Sequence, residues 1–150
     1  MSAPTQCWLR RTLVLALAGG MSGCTLAYDL RATVVDGRLA FRPESGDECA
    51  SGIAVYDVEK LRQVSAPGTL SIQDATMWSA RIAHSRGCSI RFPIVYGEAW
   101  PEANSGEARP LTVGVIYKVD ADGDRFGSGC FRIEADRRIR NLPQYRCDSR

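Results

Sequence analysis

From Tyr28 to the end of the chain, apolar and polar positions alternate with period two, and no segment carries a sustained apolar stripe at helical spacing. That is the pattern of strands with one buried face. The clearest run is Leu111 to Val119, where Leu111, Val113, Val115, Tyr117 and Val119 share one face and Thr112, Gly114, Ile116 and Lys118 the other. It is expected to pair with Gly127 to Glu134 across a turn at Asp120-Ala121-Asp122-Gly123-Asp124. A first hairpin is expected from Asp29 to Arg42: Leu30, Ala32 and Val34 point one way, and Asp36-Gly37 supplies the two positive-φ positions of a type I′ turn.

Between these hairpins the reading is a loop over Pro43 to Ser51, a strand over Gly52 to Val58, and one or two helical turns over Val58 to Val64. Glu59 to Asp74 is otherwise connection, centred on Pro67-Gly68. Strands Thr76 to Ala83 (Trp78, Ala80 and Ile82 inward) and Ser89 to Tyr96 (Ile90 and Phe92 inward) flank a turn at His84-Ser85-Arg86-Gly87. Gly97 to Pro110 is the longest loop, and a last strand, Arg138 to Leu142, follows the turn Asp136-Arg137. About eight short strands at this spacing predict an all-β domain, a two-sheet antiparallel sandwich of immunoglobulin-like character, with a small β-barrel as the alternative.

The first residues follow another logic. A polar stretch ending in Arg10-Arg11 precedes the apolar run Thr12 to Ala18, then Gly19, Gly20 and Met21. A positive segment before a short apolar one is the order of an export signal, and the run is too short to span a bilayer. Next comes Met21-Ser22-Gly23-Cys24. These residues resemble the lipobox of bacterial lipoprotein precursors, in which an aliphatic and two small residues precede a cysteine that is acylated; Met21 stands where the family usually has Leu. The resemblance implies a signal peptide over 1–23, a thioether-linked diacylglyceryl and an N-acyl chain on Cys24, and a single tethered domain over 24–150. More than one acyl chain is what stable anchoring requires. Asp at the next position would resemble an inner-membrane retention signal; Thr25 favours the outer membrane. Cleavage after Ala27 would instead release a soluble periplasmic protein.

The chain has 19 Lys+Arg and 17 Asp+Glu, and removal of Arg10 and Arg11 with the signal leaves 17 against 17. A balanced domain gives no electrostatic argument for nucleic acid. Of six cysteines, Cys49, Cys88, Cys130 and Cys147 remain in the body of the domain. Their spacings are too wide for a zinc knuckle or a CxxC pair, and an exported chain meets an oxidising compartment, so two disulfides are expected. Three connectivities are open; pairing of nearer neighbours joins Cys49 to Cys88 and Cys130 to Cys147.

Candidate chemistry is sparse. Asp120, Asp122 and Asp124 imitate the first half of a calcium loop, but Arg125 replaces its glycine and Phe131 its final Glu, so no metal site is expected. His84 is the sole histidine, and a solvated turn accounts for it. Arginines at 125, 132, 137, 138, 140, 146 and 150 crowd the C-terminal part, where Arg132, Arg138 and Arg140 fall at solvent-facing strand positions. The loop 97–110 carries Glu98, Trp100, Glu102 and Glu107; Trp100 is either an aromatic contact on a loop or a cap on the core. The expectation is an exported, periplasm-facing envelope lipoprotein, lipid-anchored through Cys24, that acts as a structural or protein-binding module. It needs no cofactor and has no catalytic residues, and its partners are the membrane and an envelope protein. The alternative is a specific ligand-binding or hydrolase-inhibitor domain that uses Glu98, Trp100 and Glu102.

Overall fold

A computed structural model describes residues 27–64, 70–83 and 88–148. The signal, Cys24, the Pro67-Gly68 connection and the turn His84 to Gly87 lie outside the described residues. The domain is mostly β: β1 (Tyr28–Val35), β2 (Arg38–Pro43), β3 (Cys49–Ala50), β4 (Gly52–Asp57), β5 (Thr76–Ile82), β6 (Ile90–Arg91), β7 (Ile94–Val95), β8 (Ala103–Ser105), β9 (Ile116–Asp122), β10 (Gly127–Ile133) and β11 (Ile139–Leu142). Two short helices, α1 (Val58–Val64) and α2 (Ile72–Ala75), stand between β4 and β5. Asp57 accepts the first amides of α1, from Glu59 at 3.0 Å and Lys60 at 3.2 Å. In α2, Ser71 and Asp74 form a capping box.

The strands do not separate into the two facing sheets of the expected sandwich. Nine of them form one sheet in the order β7-β2-β1-β10-β9-β4-β5-β8, with β11 branching from β10, and β3 pairs with β6 apart from it. The sheet curls into a half-barrel around one core. The reason is a fork. At its start β10 pairs in parallel with β1 (Tyr28 with Gly127, Asp29 with Ser128), and farther along the same edge is taken by β11, from Cys130 opposite Leu142 to Ile133 opposite Ile139. Asn141 fills the gap where β1 and β10 part: its side-chain amide accepts from Ala32 N (2.8 Å) and donates to Ala32 O (2.9 Å), replacing a ladder pair. At Gly129 a Cβ would collide with the Leu30 carbonyl, so only glycine lets β1 run this close.

The first hairpin forms as expected, with Asp36 at φ 49° and Gly37 at φ 74°. Leu30 and Ala32 are buried, whereas Val34, at the turn end, is 55% exposed. The expected strand Leu111 to Val119 begins later. Gly114 at φ 84° turns the chain, its amide bonds to the Ile133 carbonyl, and the Tyr117 hydroxyl accepts from Thr112 N at 2.8 Å. The strand then runs through Asp122, and the turn is Gly123 to Phe126 rather than Asp120 to Asp124. The inward parity is kept by Tyr117, Val119 and Ala121.

Ser89 to Tyr96 is not one strand. Pro93, which has no N–H to donate, separates β6 from β7. β6 pairs with β3 and β7 with β2, and Ile94 rather than Phe92 is fully buried. The loop 97–110 contains β8, which pairs with β5. Both disulfides join the expected partners: Cys49 to Cys88 (Cα separation 5.5 Å) and Cys130 to Cys147 (5.7 Å). The second is buried with Val58, so it pins both α1 and the last turn, Gln144–Arg146, against β10. The main core gathers Phe41, Trp78, Tyr117 and Phe131, each no more than 1% exposed; Phe131 meets both Phe41 and Tyr117 with centroids 5.6 Å apart.

Candidate functional site

The loop 97–110 is tied to the body rather than hanging from it. Gly106 N donates to Ser79 O and Arg109 N to Met77 O, each at 2.9 Å, which extends the β5–β8 pairing as far as Arg109. The Tyr96 hydroxyl donates to the Arg109 carbonyl at 2.7 Å, and burial pushes that phenol above its ordinary pKa. Trp100 is half-buried and packs on the main core, its ring centroid 6.0 Å from that of the buried Trp78. Glu98 is half-buried and Glu102 exposed. Beside them an open groove of about 590 Å³ runs between β5 and the 106–110 segment, lined by Gln73, Thr76, Ser79, Glu107 and Arg109 among others.

The three aspartates that imitate a calcium loop are divided by the shifted strand. Asp120 faces Lys118 at 3.1 Å and accepts from Ser128 at 2.7 Å, and Asp122 is paired with Arg81. These carboxylates stand on the outer face of β9, already neutralised. The one grouping of metal-ligand residue types among the described residues, Cys49, Cys88 and Asp124, has both sulfurs consumed by the disulfide.

Among the C-terminal arginines, Arg125, Arg132, Arg138 and Arg140 are matched in the same way. Arg132 and Arg140 lie opposite each other on β10 and β11, with Glu134 at 2.8 and 3.6 Å between them. The hydrogen bond from Arg132 holds the Glu134 carboxyl below its ordinary pKa, and the Arg138 amide does the same for Asp136. Arg140 on β11 is exposed, as is Arg138 just before that strand, whereas Arg132 is half-buried with its Nε enclosed; each has an acidic neighbour. His84 and Arg150 lie outside the described residues.

A residue that pattern reading passed over is Phe126, 46% exposed at the tip of the β9–β10 hairpin. Its amide neighbours include the point where the chain enters the domain, since Tyr28 N donates to the Phe126 carbonyl at 3.0 Å. The signal available in the sequence was an aromatic at the end of an otherwise polar turn, Asp122-Gly123-Asp124-Arg125-Phe126.

The chain matches no family model, and neither curated proteins nor solved structures give a match. The reading of function therefore rests on the residues themselves.

Proposed function

We propose that the chain is the precursor of an exported lipoprotein, acylated on Cys24, whose β domain serves as a structural or protein-binding module at the bacterial envelope, on the periplasmic side and preferentially at the outer membrane. The observation that carries this reading is the position of Met21-Ser22-Gly23-Cys24: the cysteine stands four residues before Tyr28, where β1 begins. A tether attached there leads directly into the first strand. Two disulfides support an oxidising destination. The ion pairs that neutralise Asp120, Asp122 and Glu134 support a module that works by surface contact rather than by charge chemistry.

The alternative, a ligand-binding or hydrolase-inhibiting loop built on Glu98, Trp100 and Glu102, draws less support. Trp100 leans on Trp78, and the segment after Ala103 is hydrogen-bonded along β5. Mass spectrometry of the mature N-terminus tests the main reading: an acylated Cys24 is expected, and a free N-terminus at Tyr28 would overturn it. Crosslinking of the tethered protein in its native envelope should then identify the protein it contacts.

A further inference from the structure

The chain enters the domain at a corner that also carries an exposed aromatic, and both are held rigidly. Tyr28 and Gly127 are register partners at the start of the parallel β1–β10 pair. The Tyr28 ring lies across Gly127, where a Cβ would come within 2.5 Å of it. Phe92 meets that ring edge-on at 6.2 Å, and the Arg125 guanidinium lies 5.8 Å from its centroid. The hairpin tip is braced from its other side too: Gly123 packs on the Cys49 backbone, Arg125 pairs with Glu48 at 2.5 Å, and Cys49 is locked to Cys88. Tyr28 is buried in this arrangement, while Phe126 beside it is left 46% exposed.

Tyr28 is four positions after Cys24, so the chain allows at most about 14 Å between them. An acylated cysteine sits at the bilayer surface, so the Tyr28 corner, with Phe126 beside it, lies within about 14 Å of the lipid headgroups. An apolar aromatic is favoured in that interfacial layer, where interfacial segments place Trp, Phe and Leu. Around the corner Arg125 pairs with Glu48, Arg81 with Asp122 and Arg31 with Glu44, while the carboxylates of Asp29 and Asp124 are exposed, so the surface suits a zwitterionic bilayer better than an anionic one. Of the four other exposed large hydrophobic side chains among the described residues, Val34 and Val113 lie toward the opposite ends of β1 and β10, and Ile72 and Tyr145 lie on α2 and the last turn.

Resting on the lipoprotein reading above, we propose that Phe126 is a second, non-covalent membrane contact: the β9–β10 tip seats its ring in the interface of a phospholipid bilayer, and acyl chains and aromatic together fix the orientation of the domain. The full-length protein, purified in its mature form and reconstituted in phosphatidylcholine vesicles with brominated acyl chains, tests this through Phe126→Trp and Val34→Trp. The emission added by Phe126→Trp over the parent should be blue-shifted and mostly lost to bromine quenching; that added by Val34→Trp should persist. Independently of any substitution at the tip, amide exchange over Gly123 to Gly127 in the parent should slow on vesicles relative to the Cys24→Ser protein in buffer, with the Asp36-Gly37 turn unchanged. Equal quenching of both reporters, or of neither, with unaltered exchange at the tip, would overturn the contact and point Phe126 toward a protein partner. The mass of the same mature sample separates the failures: no acyl mass removes the lipoprotein reading and the contact together, whereas an acylated protein with an unquenched tip removes the contact alone.

Discussion

Two hairpins of this domain carry an Asp-Gly pair, and the glycine does different work in each. In the β1–β2 turn Gly37 is at φ 74°, and a Cβ there would meet nothing within 4 Å. It is present because the backbone needs a left-handed residue. In the β9–β10 hairpin Gly123 is not among the positive-φ glycines, yet a Cβ would come within 2.6 Å of the Cys49 carbonyl. It is present because another part of the chain, 74 positions away in sequence, packs directly on it. The first glycine answers to local geometry and the second to tertiary contact, which is why the first turn is readable from its dipeptide and the second is not.

The largest loss of stability is expected at the residue that joins the two hairpins. Phe131 on β10 packs on Phe41 of β2 and Tyr117 of β9. Phe131→Ala should cost about 3 to 5 kcal/mol, because a large cavity is left where the two ribbons meet. Denaturant melts should report it; a loss below about 1 kcal/mol would mean that the hairpins do not share a core.

A next largest effect is expected in alkali. Burial, reinforced by Glu48, pushes the Tyr28 phenol from 10.0 up to about 12. The raised pKa favours the neutral phenol in the folded state, so the associated stability is whole below pH 10 and is lost as pH rises through about 12. Tyr56 and Tyr96 are shifted the same way by burial, so the difference between the parent and Tyr28→Phe isolates the junction. The Tyr28→Phe protein should lose less stability between those pH values, and identical alkaline profiles would count against a buried phenol at the chain entry.

Substitution of the two glycines sharpens the contrast itself. Gly123→Ala should cost about 1 to 3 kcal/mol through overpacking against the Cys49 backbone. Its cost should shrink when the Cys49–Cys88 bridge is reduced and that backbone is freer to move. Gly37→Ala should cost about 1 kcal/mol, the strain of a left-handed alanine, and reduction should leave that cost unchanged. A double-mutant comparison under oxidising and reducing conditions measures both, and equal redox sensitivity at the two sites would remove the distinction drawn between them.

Much of the inward-facing set was legible. Leu30, Ala32, Trp78, Ala80, Ile82, Tyr117 and Val119 are buried as the alternation predicts, because period two is a property of the extended backbone wherever it lies. Strand ends were less so. Leu111, Val113 and Val115 continue the alternation of β9, but Gly114 turns the chain there, while Asp120 and Asp122 look like turn residues yet sit in the strand, where Lys118 and Arg81 neutralise them. At the candidate site, Trp100 was equally compatible with display and with packing. Only its placement beside Trp78 shows that it leans on the core, and only the fold sets Phe126 beside the chain entry at Tyr28.

What the chain by itself determined is therefore what local rules encode: a β domain, the Asp36-Gly37 turn, and an even set of four cysteines in its body whose pairing the fold settles. The tertiary structure decided the rest: a parallel pairing of β1 with β10 that merges the strands into one curled sheet, an Asn141 amide that fills the fork, and a chain entry set against Phe126. Each of these depends on groups brought together from distant parts of the sequence. Their energies come from contacts that no window of neighbouring residues contains, whereas a turn or a strand's alternation is set by the backbone geometry of a few consecutive residues.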